Sequence, residues 1–228
     1  MRNYDPGKPL ISIHIPKAGG TSFQEILARW FPGRLYFHYF DEGKKKMPGK
    51  HALLPGSCIH GHFNSKRGFG IRHYYPEAEQ FITFLRDPFE IVVSRYFDVK
   101  AREKKGEAFR DGCSYRLPED VGHYLRHEIH KKDYHPNILD YMPAELTLEN
   151  YKDIIEERFI YMGIMEDFQN SLNHLAHALG FEPAVLGHLN RSNRYQEIPP
   201  HFREVFSERH PLEYAVYYHA LRKYNIEP

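Results

Sequence analysis

The sequence predicts an α/β fold in three layers, a mostly parallel central sheet flanked by helices. Short apolar stretches of strand length alternate along the chain with longer ones whose apolar residues recur at helical spacing. One strand, "QFITFLRDP", is apolar almost without a break, as in a sheet covered on both faces. Glycine and proline mark the junctions between these stretches.

Taken in order, "ISIHI" alternates Ile11, Ile13 and Ile15 with Ser12 and His14, and Pro16 ends it. Beyond "KAGGTS", the residues Phe23, Ile26, Leu27, Trp30 and Phe31 mark an amphipathic helix that stops at Pro32 and Gly33. "RLYFHYF" and "SCIHGHF" read as two more strands, joined by the basic loop "DEGKKKMPGK". After "QFITFLRDP", Asp87 is an acidic N-cap and Pro88 the first residue of the helix "FEIVVSRYFDVKARE". Residues 104–141 read as irregular and helical by turns, carry no strand pattern, and resemble an insertion over one face of the sheet, on the acceptor side of any site. The chain then reads as a helix over "TLENYKDIIEERF", a strand over "IYMGIM", and a helix over "DFQNSLNHLAHALG" ended by Gly180. Closing helices follow in "PPHFREVFSERHPLEYAVYYHALRKY".

The 228 residues fit a single domain, 1–228, with a sizeable core. Hydrophobic residues at 41% and aromatics at 15% argue against disorder. With 31 Lys and Arg against 30 Asp and Glu, the formal charge is +1. That balance gives no support to a general attraction to nucleic acid or membrane, so any anion site must be local. Cys58 and Cys113 have no metal or redox spacing, which fits a reducing compartment. No apolar run approaches the roughly 20 residues of a membrane span, and "MRNYDPGKPL" lacks a signal-peptide core, so a cytoplasmic protein is expected.

The stretch "PKAGGTS" joins a strand to a helix, where backbone N–H groups and the positive end of the helix dipole converge on an anion. Lys17 adds a charge, Ala18, Gly19 and Gly20 add amides, and Thr21 and Ser22 add hydroxyls as well. A triphosphate loop, GxxxxGK[ST], has its lysine immediately before the Ser or Thr. Here Lys17 stands four residues ahead of Thr21, and Ile15 occupies the place of the leading glycine. Arg86 ends a strand and Ser94 lies two turns into the next helix. Ligands of open α/β sheets bind beyond the carboxyl ends of the strands, so Arg86 and the loop are expected to face one crevice. Two anion sites on one rim suit a ligand with two separated phosphates.

"PKAGGTS" resembles the 5'-phosphosulfate loop of sulfotransferases that use 3'-phosphoadenosine 5'-phosphosulfate (PAPS). "RDPFEIVVS" resembles their 3'-phosphate motif, with Arg86 and Ser94 at the family spacing. "IHGHF" followed by "FLRDP" is similar to the heparan sulfate and uronyl 2-O-sulfotransferase branch, and "FIYMGIMEDFQNSLNHLAHALG" and "HLNRSNR" resemble C-terminal family segments. The resemblance implies a P-loop-like fold, PAPS as donor without a metal, and a hydroxyl-bearing acceptor, glycan or small molecule. It implies His62 as general base with His60 as an accessory histidine, and Lys17 at the leaving phosphate. It also implies that Arg191 and Arg194, in the turn with Asn190 and Ser192, reach the 3'-phosphate.

His60 and His62 lie two apart on a strand and so share a face. A neutral histidine, of ordinary pKa about 6.5, can take a hydroxyl proton near neutral pH. His14 reads as structural. Lys44, Lys45, Lys46, Lys66, Arg67 and Arg72 read as a solvated basic face rather than an acceptor site. Three alternatives stay open at this point. One is a P-loop kinase or NTPase with Asp87 on magnesium. Another is a metal site among the 16 histidines, at His60 and His62, His123 and His127, or His174 and His177. The last is an adenine-nucleotide-binding module without turnover.

Overall fold

The computed structural model describes residues 2–106, 117–131, 134, 137–185 and 195–223. Among them are five strands, β1 (Leu10–Ile13), β2 (Leu35–His38), β3 (Cys58–Gly61), β4 (Phe81–Leu85) and β5 (Phe159–Ile164). They form one sheet in the order β2-β3-β1-β4-β5, and every pair is parallel. The helices are α1 (Gly20–Trp30), α2 (Ile71–Tyr74), α3 (Pro88–Lys104), α4 (Val121–Glu128), α5 (Tyr151–Arg158), α6 (Phe168–Leu179), α7 (His201–Arg209) and α8 (Pro211–Lys223). This is the expected mostly parallel sheet flanked by helices.

Strand alternation sorts the core into two halves. Ile11, Ile13 and Ile15 point to one face, where they pack with Ile59, Phe81 and Leu85 under apolar residues of α3, α4, α5, α7 and α8. Leu10, Cys58, Ile82 and Phe84 point to the other, under Phe23, Ile26 and Leu27 of α1 and Phe168, Leu172 and Leu175 of α6. Burial of this kind, about 25 cal/mol per Å² of apolar surface, is what holds the layers together.

The expected caps are present. The Asp87 carboxylate accepts from Glu90 N at 3.0 Å with Pro88 behind it, and Gly180 closes α6 in the left-handed region at φ 73°. One expectation needs correction. The helix over "TLENYKDIIEERF" starts only at Tyr151, because Thr147 and Asn150 bond each other's backbone N–H groups, at 2.7 and 3.3 Å, and close a turn instead. The insertion region holds α4 and a short 3-10 helix (Ile138–Tyr141), tied to α3 where Tyr96 Oη donates to the carbonyls of Pro118 and Glu119 at 3.0 and 2.7 Å. Cys113 lies outside the described residues, and Cys58 is a buried thiol.

β1 sits in the middle of the sheet. Its following loop leads to α1 on one face, while the loop after β4 leads to α3 on the other. Neighbouring loops that part in this way leave a crevice between them at the carboxyl ends of the strands. No helix among the described residues is long and apolar enough to cross a membrane.

Candidate active site

The loop after β1 occupies that crevice. Lys17 and Gly19 are both left-handed, at φ 68° and 77°, which folds the chain back before α1 begins. Gly19 is the N-cap, so no side chain caps α1, and no acidic residue stands in its first turn. The opening amides of α1 therefore stay with the positive end of the helix dipole, as an anion site requires. Close packing explains the glycines. A Cβ on Gly20 would lie 2.0 Å from His14 Nε2, and one on Gly19 would lie 2.5 Å from Met165 Sδ. Thr21 and Ser22 follow in the first turn of α1.

Lys17 Nζ pairs with Asp98 of α3 at 3.4 Å, and Asp98 in turn pairs with Arg102 at 2.9 Å. Burial lowers the Lys17 pKa, and Asp98 pulls it back up. From the end of β4, Arg86 Nη1 donates to the Lys17 carbonyl at 3.2 Å, and Nη2 lies 3.5 Å from Glu90. The arginine and the loop thus share one rim. Ser94 lies farther along α3 and is only 3% exposed. Arg191 and Arg194, with Asn190 and Ser192, fall outside the described residues.

Three histidines line up on the α1 side of the sheet. The His14 ring stacks on His60 with centroids 5.4 Å apart and meets His62 at 4.3 Å. His62 lies just past the end of β3, and its Nδ1 donates to the His14 carbonyl at 2.7 Å. A neutral imidazole with Nδ1 donating keeps its lone pair on Nε2, the form a base needs. His60 is buried deeper, with Nδ1 on the Ser12 hydroxyl at 2.9 Å. Burial, helped by the neighbouring His62, pushes its pKa down to about 3. His14 is shifted well down by the same two causes in the same order. His60 meets the rings of His14, Phe23 and Tyr39 from this buried place.

A sequence profile described as the sulfotransferase family matches residues 3–214. The chain belongs to the sulfotransferase family. Among solved structures, mouse sulfotransferase SULT7A1 complexed with PAP aligns at 14% identity and a TM-score of 0.48. The alignment covers 80% of this chain and 62% of that one, so the chain spans less than two thirds of the mouse protein's length. No curated protein matches.

In this sulfotransferase-family chain several site neighbours have no site role in the motifs above. Asp98 carries the one signal that would have found it, since it stands four residues after Ser94 on a helix that was expected. Met165, Phe168 and Tyr39 reach the loop and the histidines only through tertiary folding. The basic residues near His62 are largely paired: Lys66 with Asp140 at 3.5 Å, and Arg67 with Glu42 at 2.9 Å while lying over the Phe40 ring. Asp87 is engaged by its own helix cap and by Arg203 at 2.5 Å, not turned to the loop as a magnesium ligand would be. Among the described residues no cluster of three His, Cys, Asp or Glu is placed to hold a metal ion.

Proposed function

We propose that this chain moves a sulfuryl group from PAPS to an acceptor hydroxyl, with Lys17 at the leaving phosphate and His62 as general base. One observation supports it above the others: His14 joins the two halves of the site. Its ring fills the space beneath Gly20 of the anion loop, and its carbonyl accepts from His62 Nδ1 at 2.7 Å. A loop of this shape fits the donor, because two glycines leave no Cβ above His14 and Met165 and the first turn of α1 lacks a cap.

PAPS supplies the activated SO3 group and leaves as adenosine 3',5'-bisphosphate. His62 Nε2 takes the acceptor's hydroxyl proton while that oxygen bonds to sulfur and the bond from sulfur to the phosphate oxygen breaks. Lys17 Nζ and the amides of Gly19, Gly20, Thr21 and Ser22 meet the negative charge left on that oxygen, in a fixed cradle that needs no reorganisation, while the Ala18 amide, expected among them, donates to the Ile15 carbonyl at 3.2 Å and shapes the turn instead. Asp98 keeps the Lys17 ammonium charged against its burial. Arg86 and Ser94, with Arg191 and Arg194, are assigned to the 3'-phosphate, and Arg86 reaches it while holding the Lys17 carbonyl. His60 backs His14. The order "IHGHF" then "FLRDP" favours the 2-O-sulfotransferase branch, and with it a carbohydrate hydroxyl over a small phenol. Residues 1–228 are taken as one domain.

The test is transfer of labelled sulfate from PAPS, in EDTA, to a panel of phenols, simple sugars and uronic-acid oligosaccharides. Transfer is expected to at least one acceptor, and His62→Ala is expected to lower it by about a hundredfold or more. Wild-type turnover in that variant would remove His62 as the base. Failure with every acceptor, alongside intact nucleotide binding, would favour a binding module instead.

A further inference from the structure

Tyr39 follows β2 and reaches into the histidine row, which no sequence motif placed it in. Its hydroxyl lies 2.9 Å from His14 Nδ1, which is its one hydrogen-bond partner among the described residues. Its ring meets His62 edge-on, with centroids 4.9 Å apart at 88°, and meets His14 in the same manner at 5.8 Å and 84°. The phenol is half-buried, and burial pushes its pKa up, so it keeps its proton. A phenol O–H that donates to Nδ1 leaves the ring's own proton on Nε2.

Resting on His62 as the base, we propose that Tyr39 is a positioning residue: its hydroxyl donates to His14 Nδ1, fixes His14 as the Nε2–H tautomer, and so holds the plate against which His62 is aimed. The two rings then carry opposite tautomers, His14 protonated on Nε2 and His62 on Nδ1, each set by the hydrogen bond its other nitrogen environment offers. The Nε2 edge of His14 faces Gly20, so a ring turned by loss of the tyrosine bond would press on the anion loop as well as on His62. The His62 ring lies tilted against His14 with centroids 4.3 Å apart and donates to its carbonyl, and both contacts depend on where His14 sits. Tyr39 touches neither the donor loop's amides nor the lysine, and acts through His14.

The test uses the whole chain and the substitution Tyr39→Phe, which keeps the ring and deletes only the hydroxyl. Long-range proton–nitrogen spectra of the 15N-labelled protein read the tautomers without any acceptor. The wild type is expected to show His14 protonated on Nε2 and His62 on Nδ1, and Tyr39→Phe is expected to lose the first preference. A wild-type His14 protonated on Nδ1 overturns the proposal. In turnover with the best acceptor of the panel, Tyr39→Phe is expected to lower kcat roughly tenfold while both KM values and the melting shift caused by adenosine 3',5'-bisphosphate stay within about twofold. The same substitution in a His62→Ala background is expected to cost nothing further. An unchanged kcat in Tyr39→Phe with a dead His62→Ala sinks Tyr39 and leaves the base standing. An active His62→Ala sinks the base, and Tyr39's role with it.

Discussion

His60 shows how burial at single residues fixes both stability and chemistry. In the folded chain its pKa is about 3, against about 6.5 when unfolded, and His14 is displaced in the same direction. Below pH 6.5 the unfolded chain takes up protons that folded His60 refuses. The stability it contributes is therefore complete above pH 6.5 and drains away as pH falls toward 3. The slope from His60 alone approaches about 1.4 kcal/mol per pH unit. The urea midpoint is accordingly expected to drop between pH 6.5 and pH 5, and to drop less in His60→Gln; a flat profile in the wild type would contradict the buried neutral ring. At this scale Lys17 and His62 were legible because each sits in a short local spelling, "PKAGGTS" and "HGHF". Tyr39 was not, since its partner His14 lies 25 residues away in the chain, and Asp98 was readable only as a helix neighbour of Ser94, not as the partner of Lys17 81 residues away.

The junction of β1 with α1 is the element on which the site depends. It combines left-handed turns at Lys17 and Gly19 with an uncapped helix start pressed onto His14. Gly20→Ala would drive a methyl group to 2.0 Å from the His14 ring, which must tilt or push α1 away. The expected cost is about 1–3 kcal/mol in urea denaturation, together with loss of turnover. A variant as stable and active as the wild type would show that the loop does not rest on His14. The helix α3 was readable from its Asp87 and Pro88 start, because capping is written in adjacent residues. The start of α5 was misread for the converse reason. The turn closed by Thr147 and Asn150 uses side-chain bonds that helical periodicity does not reveal.

Across the whole molecule, the strand order β2-β3-β1-β4-β5 sets the loop after β1 beside Arg86 at the end of β4, the shared rim that the proposed donor with two phosphates requires. Alternating strands and helices made this layering legible. The wall beside His62 was not legible, because it is built from irregular segments held at long range. Tyr141 meets the His62 ring at 6.1 Å, and Ser65 N donates to the Asp140 carbonyl at 2.8 Å. Net charge of +1 leaves the anion site to local groups, so binding should hinge on Lys17 and the loop rather than on the general surface. Calorimetric titration of the wild type and Lys17→Met with adenosine 3',5'-bisphosphate in EDTA, beside ATP with magnesium, tests that claim most directly. The expected result is metal-independent binding of the bisphosphate by the wild type, weakened about tenfold or more in Lys17→Met, with ATP bound far less tightly. Magnesium-dependent ATP binding without bisphosphate binding would contradict the assignment of the loop to a phosphosulfate donor.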